Sequence, residues 1–311
     1  MNAITSISKL RPPKSSAVEL YAKPSPDYAR KLAHARLVLR EAAELGHVTQ
    51  ANSLGVEDMV VSHLINALAL PIPIFVLDTG RLHTETLALL ERLQAHSRAP
   101  VQVFRPQPEA VQDYIRANGQ DAIYQSIELR KSCCAIRKLE PLGRALAGKA
   151  GWITGLRREQ SGARAQVPVV DRSEARIKFN PLADWTQGDV WHYVAEHGVD
   201  TNPLHDQFYP SIGCAPCTRA ITLGEDMRAG RWWWESNDLK ECGLHVKPHS
   251  APAGAGDSRS EAPEGIASAQ AHIAAGDVKA TQWPGRSQTG SAKECGLHVK
   301  APSPAGGRGL G

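Results

Sequence analysis

Hydrophobic and polar positions follow two periods along the first two thirds of the chain. From Asp27 to Leu45 the apolar residues fall at helical spacing, and Gly46 is a fitting C-terminal stop. Ser25-Pro26-Asp27 reads as the start of that helix, with Ser25 as N-cap and Pro26 at the first helical position. Val48 to Ser53 is a short strand, and Asp58 to Leu70 returns to helical spacing. Pro73-Ile-Phe-Val-Leu77 is an unbroken apolar run, as expected of a strand buried on both faces of a parallel sheet. A helix over about 82–95 follows, then strands at Val101–Phe104 and Trp152–Leu156. Trp185-Thr186-x-x-Asp189 has the form of a capping box, and Gly198 closes the helix it opens.

Strands alternating with helices predict an α/β class with a mainly parallel sheet flanked by helices. Ligands of such sheets bind beyond the carboxyl ends of the strands. The loops Ser53-Leu-Gly-Val-Glu-Asp58 and Asp78-Thr-Gly-Arg81 are therefore the first candidate site. The former is no Walker loop: it has one Gly, no Lys and two acids, so it suits a single phosphate better than a triphosphate.

Composition narrows the picture. The excess of Lys+Arg over Asp+Glu is 36 − 32 = +4 in 311 residues, too small for a nucleic-acid coat protein, and no nucleic-acid partner is expected. No run approaches the ~18 apolar residues of a membrane span, and Met1 to Lys14 lacks the apolar core of a secretory signal. A cytoplasmic protein is expected. Residues 1–24 are polar and dotted with Pro, and are expected to be flexible. Residues 25–247 form the expected domain. Of residues 248–311, 37 are Ala, Gly, Ser or Pro, too little apolar surface to offset ordering entropy, so a disordered tail is expected. Within it, Lys293 to Lys300 repeats Lys240-Glu-Cys-Gly-Leu-His-Val-Lys247 letter for letter.

Six cysteines are too sparse for a disulfide scaffold, but four form two pairs, Cys133-Cys134 and Cys214-Ala-Pro-Cys217. Four thiolates suit zinc or an iron–sulfur cluster. Adjacent cysteines strain a single tetrahedral ion more than a cluster, whose ligand positions are farther apart. A redox disulfide or unpaired thiols remain alternatives. Cys242 lies beside His245 between Lys240 and Lys247, where nearby cations favour the nucleophilic thiolate. Arginines gather in Gly155-Leu-Arg157-Arg158 and in Asp226-Met-Arg228-Ala-Gly-Arg231-Trp-Trp-Trp234, and their forks suit phosphate or sulfate oxygens. Arg137 and Lys138 lie within a turn of the first cysteine pair.

Six motifs stand in one order: Ser53-Leu-Gly-x-Glu-Asp58, Leu77-Asp-Thr-Gly80, Lys131-x-Cys-Cys-x-x-Arg-Lys138, Gly155-x-Arg157, Cys214-x-x-Cys217 and Glu241-Cys-Gly-Leu-His245. Over about residues 26–247 the chain resembles the assimilatory adenylyl-sulfate reductases, the iron–sulfur branch of the phosphoadenylyl-sulfate reductase family. The resemblance implies an adenine-nucleotide α-hydrolase-like fold. It implies reduction of adenylyl sulfate to sulfite and AMP by thioredoxin or a glutaredoxin-like donor, through an S-sulfocysteine on Cys242. It implies a [4Fe–4S] cluster on Cys133, Cys134, Cys214 and Cys217, supporting the site electrostatically through Lys138. Arg157, Arg228 and Arg231 would hold the phosphosulfate, with Ser53, Gly55 and Thr79 at the nucleotide, and Lys138 and His245 would bind the substrate as well. A homo-oligomer is expected by the same likeness. Possession of both cysteine pairs points to adenylyl sulfate over its 3′-phosphorylated form, although some cluster-bearing members accept both. An ATP pyrophosphatase-type enzyme and an iron–sulfur redox regulator are the competing readings. The tail departs from the family pattern, and its repeat is read first as an accidental duplication without function, with a backup role for Cys295 on a flexible tether as the alternative.

Overall fold

In this computed structural model the chain is described over residues 16–222 and 224–235. Cys242, His245, Cys295 and the tail lie outside the described residues.

Helix α1 (Ala17–Tyr21) opens the described chain, closed at its start by reciprocal bonds between Ser16 and Glu19. Its Ala17 is buried, and the Ala17 N–H donates to Asp206 at 2.7 Å. This corrects the expectation of a flexible segment to residue 24: residues 16–24 include a helix docked on the domain. Helix α2 (Tyr28–Leu45) then buries Val38, Leu39 and Ala42 on one face. It begins later than the sequence pattern suggests. Ser25 does not cap it; the Ser25 hydroxyl and N–H instead donate to Asp189, 164 positions away, at 2.8 and 2.7 Å.

Strand β1 (Val48–Asn52), helix α3 (Val56–Ala67), strand β2 (Ile74–Leu77), helix α4 (Thr84–His96) and strand β3 (Val101–Phe104) follow in alternation. After α5 (Pro108–Asn118), helix α6 (Ile127–Cys134) runs straight into a π-helical turn at Ala135–Leu139 and then α7 (Glu140–Ala145). Pro141 supplies a reason for the irregular turn, since it has no N–H to give and its ring would strike the Arg137 carbonyl in a regular α-helix. Strands β4 (Gly151–Ile153), β5 (Val170–Asp171) and β6 (Ile177–Phe179) and helix α8 (Gln187–His197) complete the elements that position the site.

The sheet order is β3-β2-β1-β4-β6-β5, parallel throughout except for the β5–β6 edge. Gln50 pairs with Ile74 on one side of β1 and with Ile153 on the other. The strand order therefore reverses between β1 and β4, where such sheets open a crevice. The main core lies on one sheet face, where Leu39, Val60, Ile65, Leu89 and Trp185 are almost wholly buried. Each such aliphatic side chain contributes about 1.5–3 kcal/mol. Helix α8 carries the expected capping box of Thr186 and Asp189, and ends at Gly198 with φ 61°. No described helix is long and apolar enough to cross a membrane.

Candidate functional site

A cavity of about 220 Å³ opens at the carboxyl ends of β1, β2 and β4, and its lining includes Asn52, Ser53, Gly55, Asp58, Thr79 and Gly155. Both loops singled out from the sequence are on its wall, joined by the loop after β4. Lys138, Arg228 and Arg231 face the same space, with Arg164, Trp152 and Trp232.

Two carboxylates in the first turn of α3 organise the loops. Asp58 Oδ2 accepts from the Ser53 N–H at 2.9 Å and the Ser53 hydroxyl at 2.5 Å, while Oδ1 accepts the Gly155 N–H at 2.7 Å. Burial, with the neighbouring Glu57 charge adding to it, raises the Asp58 carboxyl above its usual range. Glycine is required at 155 because a Cβ there would sit 2.7 Å from Asp58 Oδ1 and 2.8 Å from Glu57 Cβ.

Arg157 departs from expectation. It is not among the residues lining the cavity, and it is 1% exposed. Its Nε and Nη2 each lie 3.0 Å from Glu57 Oε1, and its Nη1 lies 2.8 Å from Glu159 Oε2. Burial pushes the Glu57 carboxyl up, but the Arg157 charge together with hydrogen bonds from the Glu57 backbone, Gln160 and Arg157 holds it below the usual range. With Glu57 and Glu159 on its fork, Arg157 braces α3 against the β4 loop.

The four paired cysteines are all buried, free of disulfides and on the lining of a second, smaller cavity. Arg81, Arg130, Arg137, Lys138 and Trp232 line it too. Cys133 and Cys134 sit at the end of α6, and Cys214-Ala-Pro-Cys217 forms a tight turn whose Ala215 N–H donates to the Arg81 carbonyl at 2.8 Å. Thr79 Oγ1 lies 3.2 Å from Cys214 Sγ. Arg137 donates to the Thr79 carbonyl at 2.7 Å and also hydrogen-bonds Cys133. Burial raises the Cys133 thiol, and burial together with the Cys214 and Cys134 thiols pushes Cys217 up to about 12. Among the described residues no group of three or more His, Cys, Asp or Glu side chains is arranged to hold a metal ion. The two cavities share Lys138, Cys214 and Trp232 as common wall.

A model of the phosphoadenosine phosphosulfate reductase domain matches residues 47–220. The chain belongs to the phosphoadenosine phosphosulfate reductase family. Within that family it is 52% identical over 218 residues to the adenosine 5′-phosphosulfate reductase of Allochromatium vinosum, covering 70% of this chain and 85% of the relative. It is 51% identical over 239 residues to the enzyme of the same name from Burkholderia cepacia, covering 74% and 96%. Among solved structures it resembles the phosphoadenylyl-sulfate reductase of Candida auris in a phosphate complex. That match has a TM-score of 0.51 and 25% identity, covering 60% of this chain and 90% of that one.

The matched domain thus spans the crevice loops and both cysteine pairs. Pairwise sequence reading missed Glu57 as the partner of Arg157, Asp58 as the link between loops, and Glu235 as the partner of Arg130. The only available signal was the two acids of the Ser53–Asp58 loop, whose partners lie about a hundred positions away.

Proposed function

We propose that the protein reduces adenylyl sulfate to sulfite and AMP in assimilatory sulfate reduction, toward cysteine biosynthesis, with thioredoxin as electron donor. The observation that carries the reading is the shared wall: a cationic cavity at the carboxyl end of the sheet adjoins a cavity lined by four cysteines, none in a disulfide. The naming of the relatives at about half identity supports it.

The donor set of the smaller cavity fits an iron–sulfur cluster, whose ligand positions stand farther apart than those of the single ion for which no described group is gathered. Four buried thiols with no disulfide offer the right donor chemistry, and Arg81, Arg130, Arg137 and Lys138 offset the charge of a thiolate-ligated group. Cys133, Cys134, Cys214 and Cys217 would hold a [4Fe–4S] cluster, which supplies a fixed charge centre beside the substrate. Burial raises the Cys133 and Cys217 thiols, which disfavours their thiolates while no metal is bound, and the family resemblance gives the nucleophile's role to Cys242.

The Cys242 thiolate attacks the sulfate sulfur, the sulfur–oxygen bond to the phosphate breaks, and AMP leaves with that electron pair. A thioredoxin thiolate then attacks the Cys242 sulfur and expels sulfite, and the second thioredoxin thiol resolves the mixed disulfide. The two electrons that reduce the sulfate come from the thioredoxin dithiol. Lys138, Arg228 and Arg231 stabilise the charge gathering on the leaving phosphate, Ser53, Gly55 and Thr79 bound the nucleotide, and His245 accompanies the nucleophile. Arg157 acts by bracing the loop. The reading includes a cytoplasmic site of action and a homo-oligomer. It is tested by Cys242→Ser: sulfite release from adenylyl sulfate disappears while nucleotide binding persists. Full activity in that variant contradicts it.

A further inference from the structure

Arg130 and Glu235 form an ion pair buried among the cysteine segments. Arg130 is 0% exposed, and its fork grips the Glu235 carboxylate through Nε at 2.8 Å and Nη2 at 2.6 Å. The same guanidinium hydrogen-bonds Cys134 and lies 4.7 Å from the centre of the Trp232 ring. Neither Arg130 nor Glu235 lines the larger cavity. Burying such a pair costs desolvation of both ions, and an apolar pair of similar volume often serves stability as well.

The turn that Glu235 closes is strained. Trp232 has φ 42°, a left-handed conformation that a bulky residue adopts only when its surroundings impose it. The restraints form a closed circuit. The Glu235 N–H donates to the Trp232 carbonyl at 2.9 Å, Arg130 forks the Glu235 carboxylate, and Arg130 lies over the Trp232 ring. The next residue back is Arg231, whose guanidinium also lies over that ring, at 4.6 Å, and lines the larger cavity.

We propose that the Arg130–Glu235 fork is a clamp that holds the strained turn Arg231–Glu235, and through Trp232 sets Arg231 where an anionic substrate group binds. The inference rests on the reading of the larger cavity as the adenylyl-sulfate site. Arg130 and Glu235 are positioning residues and touch no substrate. The clamp joins α6, with its cysteine pair, to the substrate cation, and from Glu235 the chain has seven positions to Cys242.

The test compares equilibrium binding of adenylyl sulfate and of adenosine, which lacks the anionic group, in full-length protein carrying Cys242→Ser so that no turnover occurs. Glu235→Gln keeps the volume and leaves Arg130 beside Cys134 but breaks the fork. The expected result is an about tenfold loss of adenylyl-sulfate affinity with adenosine affinity held within about threefold. Affinities that stay at the parent values, or that fall in parallel for both ligands, overturn the clamp. If Glu235→Gln does not fold, the double variant Arg130→Met with Glu235→Leu replaces the pair by an apolar one and is read the same way. A double variant that folds and still discriminates the two ligands as the parent does overturns the proposal. A parent that binds adenylyl sulfate no better than adenosine overturns the functional reading itself, and the purpose of the clamp with it.

Discussion

The Asp58 carboxylate accepts the Gly155 N–H at 2.7 Å, and so ties the loop after β1 to the loop after β4. Its other oxygen takes the Ser53 N–H and hydroxyl. Both walls of the crevice therefore hang on one side chain. Asp58→Ala is expected to lower AMP affinity about tenfold, because the buried Gly155 N–H loses its acceptor and the Ser53 loop loses its tie to it. Isothermal titration with AMP checks this, and unchanged affinity would show that the loops hold their places without Asp58.

Gly213 lets the Arg231 guanidinium lie against the backbone: a Cβ at 213 would stand 2.6 Å from Arg231 Cζ. Gly213→Ala is expected to displace Arg231 and raise KM for adenylyl sulfate about tenfold, with a drop in melting temperature of only a few degrees. Steady-state kinetics beside thermal unfolding separates the two effects.

Much of this architecture is legible in the sequence, for reasons that differ between elements. The β2 run is apolar because that strand is covered on both faces, so its pattern is visible in isolation. Thr186 and Asp189 cap α8 within four positions, and that signature is local too. The start of α2 is misread because Ser25, a good N-cap residue, is engaged by Asp189 from the far end of the domain. Strands β5 and β6 have two and three residues, too short to show a period. At the site, the cysteine pairs and the crevice loops announce themselves by residue type and spacing. Arg157 does not: an arginine after a strand and a glycine resembles an anion ligand until Glu57, a hundred positions earlier, is found on its fork.

Asp189 supplies a pH-dependent part of the stability. It is buried and accepts from Ser25, Thr186 and Lys31. Burial opposes its ionisation, but those bonds outweigh it and hold its carboxyl below the usual range. A lowered folded pKa gives stability that is complete above the unfolded value of about 4 and is lost as pH falls through the folded one. Asp189→Asn is expected to cost about 2–4 kcal/mol at neutral pH and to flatten the acid limb of the stability curve. Denaturant unfolding across that range measures both, and an unchanged acid limb would assign the slope to other carboxylates.

The cysteine pairs make a separable prediction. Cys214→Ser is expected to reduce bound iron about tenfold or more in protein purified without oxygen, with loss of the visible absorbance of a thiolate-ligated cluster. Iron and acid-labile sulfide assays decide it, and wild-type iron in the variant would remove Cys214 from the ligand set.

The central claim is that this chain makes sulfite from adenylyl sulfate. It is tested most directly by measuring sulfite release without oxygen, with reduced thioredoxin, from adenylyl sulfate and from its 3′-phosphorylated form side by side. The account predicts turnover mainly with adenylyl sulfate. Sulfite from neither substrate, in protein that retains its iron, would contradict it.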